Sequence, residues 1–306
     1  MSKVIRIGTR ESQLAVWQAT TVKELLQKNG YETTIEFIKS EGDTDLKTPL
    51  YEIGVQGIFT RALDIALLTG NIDIAVHSMK DVPTLMAKGI IQSAVLQRAS
   101  YNDLLVPKND SSFSDERTTP SVIATSSIRR KAQWLNRYPD DTIENLRGNV
   151  NTRLRKVQES NWHGAIFAAA GLERIGLRPA NAIELEWMLP APAQGAIIVV
   201  CREEDTYAFE ACRHFHDEDT TLCTGIERDF LRALLGGCST PIGALARIET
   251  GQVVFEGNIL SKDGKQKKEV SCRTAISEAG NLGSEAAAEL LVNGGKEILD
   301  EIRTVK

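Results

Sequence analysis

Ile7-Gly8-Thr9-Arg10-Glu11-Ser12 and, far downstream, Ile123-Ala124-Thr125-Ser126-Ser127 share one construction. Each leaves an apolar strand through Thr and Ser and enters a helix that carries a Trp about two turns on. Around the first, Val4–Gly8 reads as a strand and Ser12–Asn29 as a helix with Leu14, Trp17, Leu25 and Leu26 apolar, ended by Gly30. Thr33–Ile38 alternates as a strand should, Ile58–Leu68 reads as a helix and Ile72–Val76 as a buried strand. Around the second, Val122–Thr125, Thr142–Leu146 and Ala165–Ala169 read as strands, with helices over Ile128–Tyr138 and Val150–Glu159. Strand–helix–strand order predicts largely parallel sheets. The expected fold class is therefore α/β, as two similar doubly wound lobes joined by a polar connection from Asn109 to Pro120.

From Asp219 the pattern changes. Thr221–Leu235 reads as a helix, then Gly243–Glu249, Val253–Leu260 and Lys267–Thr274 alternate between turns such as Lys262-Asp263-Gly264-Lys265, and a final helix covers Ser284–Arg303. That is a smaller C-terminal α+β domain with an antiparallel sheet. Gly195–Val200 reads as one more apolar strand, which returns the chain to the first lobe. The expected domains are 1–98 with 196–214, then 103–192, then 219–306.

The net charge of −5 argues against a nucleic-acid binder or a protein that coats anionic membranes. Met1-Ser2-Lys3-Val4-Ile5-Arg6 lacks the apolar core of a signal peptide, and no apolar run approaches bilayer-spanning length, so a cytoplasmic address is expected. Cysteines stand at 201, 212, 223, 238 and 272, an odd number with no Cys-x-x-Cys pair, which argues against a disulfide framework and a zinc knuckle. Cys212-Arg213-His214-Phe215-His216 contains ligand residue types, but residues two apart on a helix do not face each other. It reads as a polar helix end, and no metal site is expected. Cys238 is different. Leu234-Leu235-Gly236-Gly237-Cys238-Ser239-Thr240-Pro241 suits neither helix nor strand, so it reads as a tight loop presenting one thiol, either inert or a site of covalent chemistry.

Six arginines fall at or near the openings of these elements: Arg10 after a strand, Arg129 and Arg130 in a first helical turn, Arg147 before Gly148, Arg153 on the next helix and Arg174 after Gly171-Leu172-Glu173. A single arginine is usually a solvated charge. Six such positions in an acidic chain point to a polyanionic small molecule, because open α/β sheets bind ligands at strand carboxyl ends. Carboxylates fit better than phosphates, since no P-loop or dinucleotide fingerprint is present. His77-Ser78-Met79-Lys80-Asp81-Val82-Pro83 follows a buried strand and places Ser78, Lys80 and Asp81 at that strand's carboxyl end. Lys80 can neutralise an acid, and Asp81 can stabilise positive charge or move a proton. His77, at the end of an apolar strand, is read as structural.

Taken together, the chain resembles the porphobilinogen deaminase (hydroxymethylbilane synthase) family. The resemblance rests on Gly8-Thr9-Arg10-Glu11-Ser12, His77 to Pro83, Thr125-Ser126-Ser127-Ile128-Arg129-Arg130, Leu146-Arg147-Gly148-Asn149-Val150, Ala170-Gly171-Leu172-Glu173-Arg174, Pro192-Ala193-Gln194-Gly195-Ala196 and Gly236-Gly237-Cys238, in that order. It implies lobes like those of periplasmic binding proteins. It also implies a transferase that joins four porphobilinogen molecules head to tail, with loss of ammonia, and releases hydroxymethylbilane. The implied cofactor is a dipyrromethane primer, bound by a thioether to Cys238, and the implied state is a monomer. Asp81 would be the catalytic acid. Arg10, Ser12, Ser78, Lys80, Thr125, Ser127, Arg129, Arg130, Arg147, Arg153, Arg174 and Gln194 would hold substrate or cofactor, with Phe59 packing on a pyrrole ring.

Two departures stand out. In Tyr51-Glu52-Ile53-Gly54-Val55-Gln56-Gly57-Ile58-Phe59, Glu52 and Gln56 occupy positions where the family's mobile loop usually carries lysines. Ala193 replaces the usual glycine before Gln-Gly-Ala, which is expected to be tolerable only if its backbone avoids positive φ. The competing reading is a two-lobed small-carboxylate binding protein without catalysis.

Overall fold

A computed structural model describes residues 3–39, 60–108, 119–234 and 240–304. They divide into two compact units. The first comprises the described residues up to Ala99 with Gly195–Thr221, and the second Ser100–Gln194 with the chain from Leu222.

The first unit carries β1 (Ile5–Thr9), β2 (Thr33–Phe37), β3 (Ile74–Ser78), β4 (Ile90–Val95) and β10 (Ile197–Arg202), in spatial order β2-β1-β3-β10-β4. β1 pairs in parallel with β2 and β3, whereas β10 runs antiparallel to β3 and β4. The βαβ pattern accounts for the parallel half. β10 arrives from far along the chain, without a helical crossover, so nothing obliges it to be parallel. The Gln13–Lys28 helix starts where Ser12 accepts a hydrogen bond from Ala15 N at 3.4 Å. Its buried stripe of Ala19, Val22 and Leu26 packs on Ile5, Ile7 and Ile74, and Gly30, at φ 84, turns the chain out of it.

The second unit repeats the plan with β5 (Asp103–Pro107), β6 (Val122–Ala124), β7 (Thr142–Glu144), β8 (Gly164–Ala168) and β9 (Ile183–Glu184), ordered β7-β6-β8-β5-β9. Here β6 is parallel to β7 and β8, while β5 is antiparallel to β8 and β9. Both sheets thus place the strand of the Thr/Ser opening between two parallel neighbours. The two tryptophans are not equivalent: Trp134 is fully buried and donates to Asp141 Oδ2 at 2.8 Å, while Trp17 is 37% exposed.

The same unit includes the antiparallel sheet β11 (Ile242–Glu249), β12 (Gln252–Leu260) and β13 (Lys267–Ala275). The Glu218–Ala233 helix reaches this sheet through Phe230, whose ring stands edge-on to Phe255 with centroids 5.1 Å apart. A Cβ at Gly257 would lie 2.6 Å from the Phe230 ring, so glycine is required by that close approach. The expected single final helix is two, Leu282–Leu290 and Lys296–Thr304, because Asn293 and Gly294 (φ 95) leave helical geometry between them.

Candidate active site

Parallel pairing of β1 with β3 sets their carboxyl ends at the same edge of the first sheet, in the register Ile7 with Ile74 and Gly8 with Ala75. Arg10 therefore follows β1 beside the segment that follows β3. There Ser78 leads into a short 3₁₀ turn, Met79–Asp81, anchored by Met79 N donating to Ala196 O at 3.0 Å. Gln18 donates to Ser78 Oγ at 2.8 Å, tying the first helix to this turn. Arg10, Ser12, Ser78, Lys80 and Asp81 are all partly exposed, so this edge presents two cations, one carboxylate and two hydroxyls to solvent. Ser12 also has a structural task as the helix cap. His77 lies beneath, buried, its imidazole held down to about 4 by burial and by the charge of Arg10. It is neutral at neutral pH.

In the second unit β6, β7 and β8 end at a common edge for the same reason. β6 runs into Thr125, whose Oγ1 accepts from Ser127 N at 3.2 Å, and Ser127 caps the Ile128–Arg137 helix by accepting from Arg130 N at 3.4 Å. Ser126 Oγ donates to Leu146 O, which ties the loop after β7, where Arg147 sits buried, to the loop after β6. Gly148, at φ 116, starts the turn into the Val150–Glu159 helix, and Arg153 Nε donates to Gly148 O at 2.7 Å. Arg174 follows the Ala169–Glu173 helix after β8, and burial pushes its guanidinium down to about 10.

Asp103, at the start of β5, is a hub that spacing does not announce. It is fully buried. Arg129 approaches its Oδ2 at 2.7 Å, and Arg130 donates to its Oδ1 through Nη2 at 2.7 Å and Nε at 3.1 Å. Burial pushes the Asp103 carboxyl up, but the charges of Arg129 and Arg130 outweigh this and hold it well below the carboxylate range. Gln194 Nε2 donates to Asp103 Oδ1 and to Tyr101 O, both at 2.8 Å. Arg130 and Gln194 thus face an internal carboxylate. Arg129 also donates to Leu189 O at 2.7 Å, yet its Nε is buried without a hydrogen-bond partner.

Ala193 overturns the expectation made for it. It has φ 62 and is fully buried. Ala191-Pro192-Ala193-Gln194 is a turn closed by Gln194 N donating to Ala191 O at 2.9 Å. With Pro second and positive φ third, it has the features of a type II turn, where glycine is the usual third residue. Left-handed backbone costs an alanine roughly 1–2 kcal/mol. The turn is held by Glu227, whose Oε2 accepts from Ala193 N at 2.6 Å.

The four described cysteines are poor nucleophiles by position. Cys201, Cys212 and Cys223 are buried, and burial pushes the thiols of Cys201 and Cys212 up to about 11 and about 12. Burial and then Glu289 raise that of Cys272. Among the described residues no three His, Cys, Asp or Glu side chains form a metal-holding group, and His216 Nδ1 instead accepts from Val95 N at 3.1 Å. No helix among them is long and apolar enough to cross a membrane. Cys238, Phe59, Glu52 and Gln56 lie outside the described residues.

Residues 5–210 match the family model described as porphobilinogen deaminase, dipyromethane cofactor binding domain, and residues 221–292 match porphobilinogen deaminase, C-terminal domain. The chain belongs to the porphobilinogen deaminase family. The porphobilinogen deaminase of Desulforamulus reducens is 39% identical over 99% of both chains, and that of Desulfitobacterium hafniense is 41% identical over 98% of both. Among solved structures, the methionine binding protein MetQ is 12% identical with a TM-score of 0.45 over 71% of this chain and 92% of its own. A probable amino-acid transporter binding protein, ytmK of Bacillus subtilis, is 13% identical with a TM-score of 0.41 over 70% and 90%. As a porphobilinogen deaminase family member the chain is a transferase, and its relatives do not favour a binding protein without chemistry.

Proposed function

We propose that this chain joins four porphobilinogen molecules head to tail, with loss of ammonia at each addition, on a dipyrromethane bound to Cys238 through a thioether, and releases hydroxymethylbilane. The observation that carries the reading is full-length kinship with porphobilinogen deaminases. The proposed setting is a cytoplasmic monomer with three domains, 1–98 with 196–214, 103–192 and 219–306.

The residues present suit a group bearing acetate and propionate carboxylates. Arg129 has a buried Nε lacking a partner, and the desolvated Arg174 guanidinium regains stability from an incoming carboxylate. When bound, the dipyrromethane supplies a nucleophilic pyrrole carbon to which the first substrate adds. Arg129, Arg130, Arg147, Arg153 and Arg174, with Thr125, Ser127 and Gln194, are proposed to hold and shape its binding surface. Arg130 and Gln194 do so through Asp103. Arg10, Lys80, Ser12 and Ser78 are proposed to hold carboxylates at the first sheet's edge, and Phe59 to pack on a pyrrole ring. Asp81 offers a negative charge where positive charge develops on a substrate pyrrole as ammonia departs.

Cys238 is favoured for attachment because a thiolate is the reactive form and the other thiols are buried or raised. Intact mass tests the proposal. The wild-type chain is expected to carry one dipyrromethane, and Cys238→Ser to fold without it. An adduct on Cys201, Cys212, Cys223 or Cys272, or a wild-type mass equal to the bare sequence, overturns the reading.

A further inference from the structure

Glu227 lies on the Glu218–Ala233 helix, fully buried, with both carboxylate oxygens on backbone amides. Oε2 accepts from Ala193 N at 2.6 Å, and Oε1 from Ala246 N on β11 at 2.8 Å. The β11 contact fixes the carboxylate, so the Ala193 amide has a stationary acceptor. Ala193 has φ 62, a conformation that an alanine leaves unless its surroundings hold it. Rotation back to negative φ would swing the next residue. That residue is Gln194, whose Nε2 meets Asp103 Oδ1 and Tyr101 O at 2.8 Å. Asp103 in turn lies on Arg129 and Arg130, each at 2.7 Å.

We propose that Glu227 is a positioning residue for the arginine pair: by holding Ala193 left-handed it aims Gln194 at Asp103, which fixes Arg129 and Arg130. The helix bearing Glu227 ends at Ala233, five residues before Cys238 in the sequence. Glycine at 193 would adopt the same backbone without being held, so the Ala193–Glu227 pair does here what a glycine would do alone. This inference rests on the proposed role of Arg129 as a cofactor-holding group.

The experiment compares wild type, Glu227→Gln, Ala193→Gly, the Glu227→Gln/Ala193→Gly double variant and Gln194→Leu. Each is measured for dipyrromethane occupancy by intact mass and for kcat and KM with porphobilinogen, well below its melting temperature. Glu227→Gln turns an amide donor toward a backbone donor and is expected to lose about tenfold to a hundredfold in kcat/KM, the scale of an active-site misplacement of about 1 Å. Ala193→Gly stays within about twofold of wild type, and in the double variant it restores most of the loss. Gln194→Leu, which leaves the Glu227 contacts intact, reproduces the loss. A double variant as impaired as Glu227→Gln alone, or an unimpaired Gln194→Leu, overturns the inference. If Glu227→Gln does not fold, a folded and loaded double variant supports the inference and an unfolded one overturns it. A wild type without adduct or turnover overturns the functional reading and the inference with it, a result seen in the wild type alone.

Discussion

Asp103 Oδ2 lies 2.7 Å from an Arg129 guanidinium nitrogen, and both side chains are buried. Arg130 shares the same carboxylate, so a single negative charge serves two cations away from water. Such a group is worth most when one asks what its removal strands. Asp103→Asn would leave two buried arginines facing each other with no counter-charge. The expected loss is about 3–5 kcal/mol of stability, the cost of breaking a buried ion pair from one side. Denaturant unfolding monitored at Trp134, in the same unit, measures it; a loss below about 1 kcal/mol would mean that water or another anion already compensates these arginines.

Asp81 sits in the Met79–Asp81 turn after β3, partly exposed beside Lys80. Asp81→Asn keeps the shape and removes the charge. Turnover is expected to fall about a thousandfold, about 4 kcal/mol of transition-state stabilisation. Dipyrromethane occupancy should persist, because attachment is proposed at Cys238. Near-normal turnover with the adduct in place would remove Asp81 from the chemistry.

By the resemblance to the family, Glu52 and Gln56 are expected to stand at lysine positions, and Arg61 is the first cation on the helix that follows. Glu52→Lys is expected to hold the growing polycarboxylate more tightly and so to stabilise elongation intermediates. The effect should be larger at low salt, since exposed charges are screened within about 10 Å at 0.1 M. Native mass spectra of substrate-loaded protein read the intermediate ladder directly. A ladder unchanged by Glu52→Lys at low salt would exclude contact between this position and the chain of pyrroles.

Periodicity announced the parallel halves of both sheets because strand–helix–strand order leaves little choice of topology. It did not announce β4 or β5. Leu104-Leu105-Val106 is a short apolar run of the kind a buried strand shows, but no flanking helix marks its partner. The arginine positions were legible as types, since they recur just beyond strand ends. Their partners were not: Asp103 is distant in sequence from Arg129, Arg130 and Gln194, and only folding brings it to them. Ala193 failed for a related reason. Its left-handed backbone depends on a carboxylate 34 residues away, which no local propensity records.

Two buried groups of the first unit give stability a pH dependence in adjoining windows. His77 titrates at about 4 against an ordinary 6.5, because burial and then Arg10 disfavour its charged form. Asp64 lines a small cavity together with His77, and its carboxyl is raised by burial against a hydrogen bond from Thr60. As pH falls from 6.5 to 4, the unfolded chain binds a proton at His77 that the native chain refuses. Stability is therefore full above 6.5 and is lost toward 4, by at most about 1.4 kcal/mol per pH unit. Asp73 acts lower down. Burial raises its carboxyl, but hydrogen bonds from Arg6 and then Arg202 outweigh this and bring it to about 2, against an ordinary 3.8. Its contribution is complete above 3.8 and disappears as pH drops through about 2. Urea midpoints across this range separate the two. His77→Gln should flatten the decline between 6.5 and 4 and leave the lower limb alone, and Asp73→Asn should lower stability at neutral pH and flatten only the lower limb. A His77→Gln profile parallel to wild type above pH 4 would mean that the imidazole is already protonated or solvated in the native chain, against its burial.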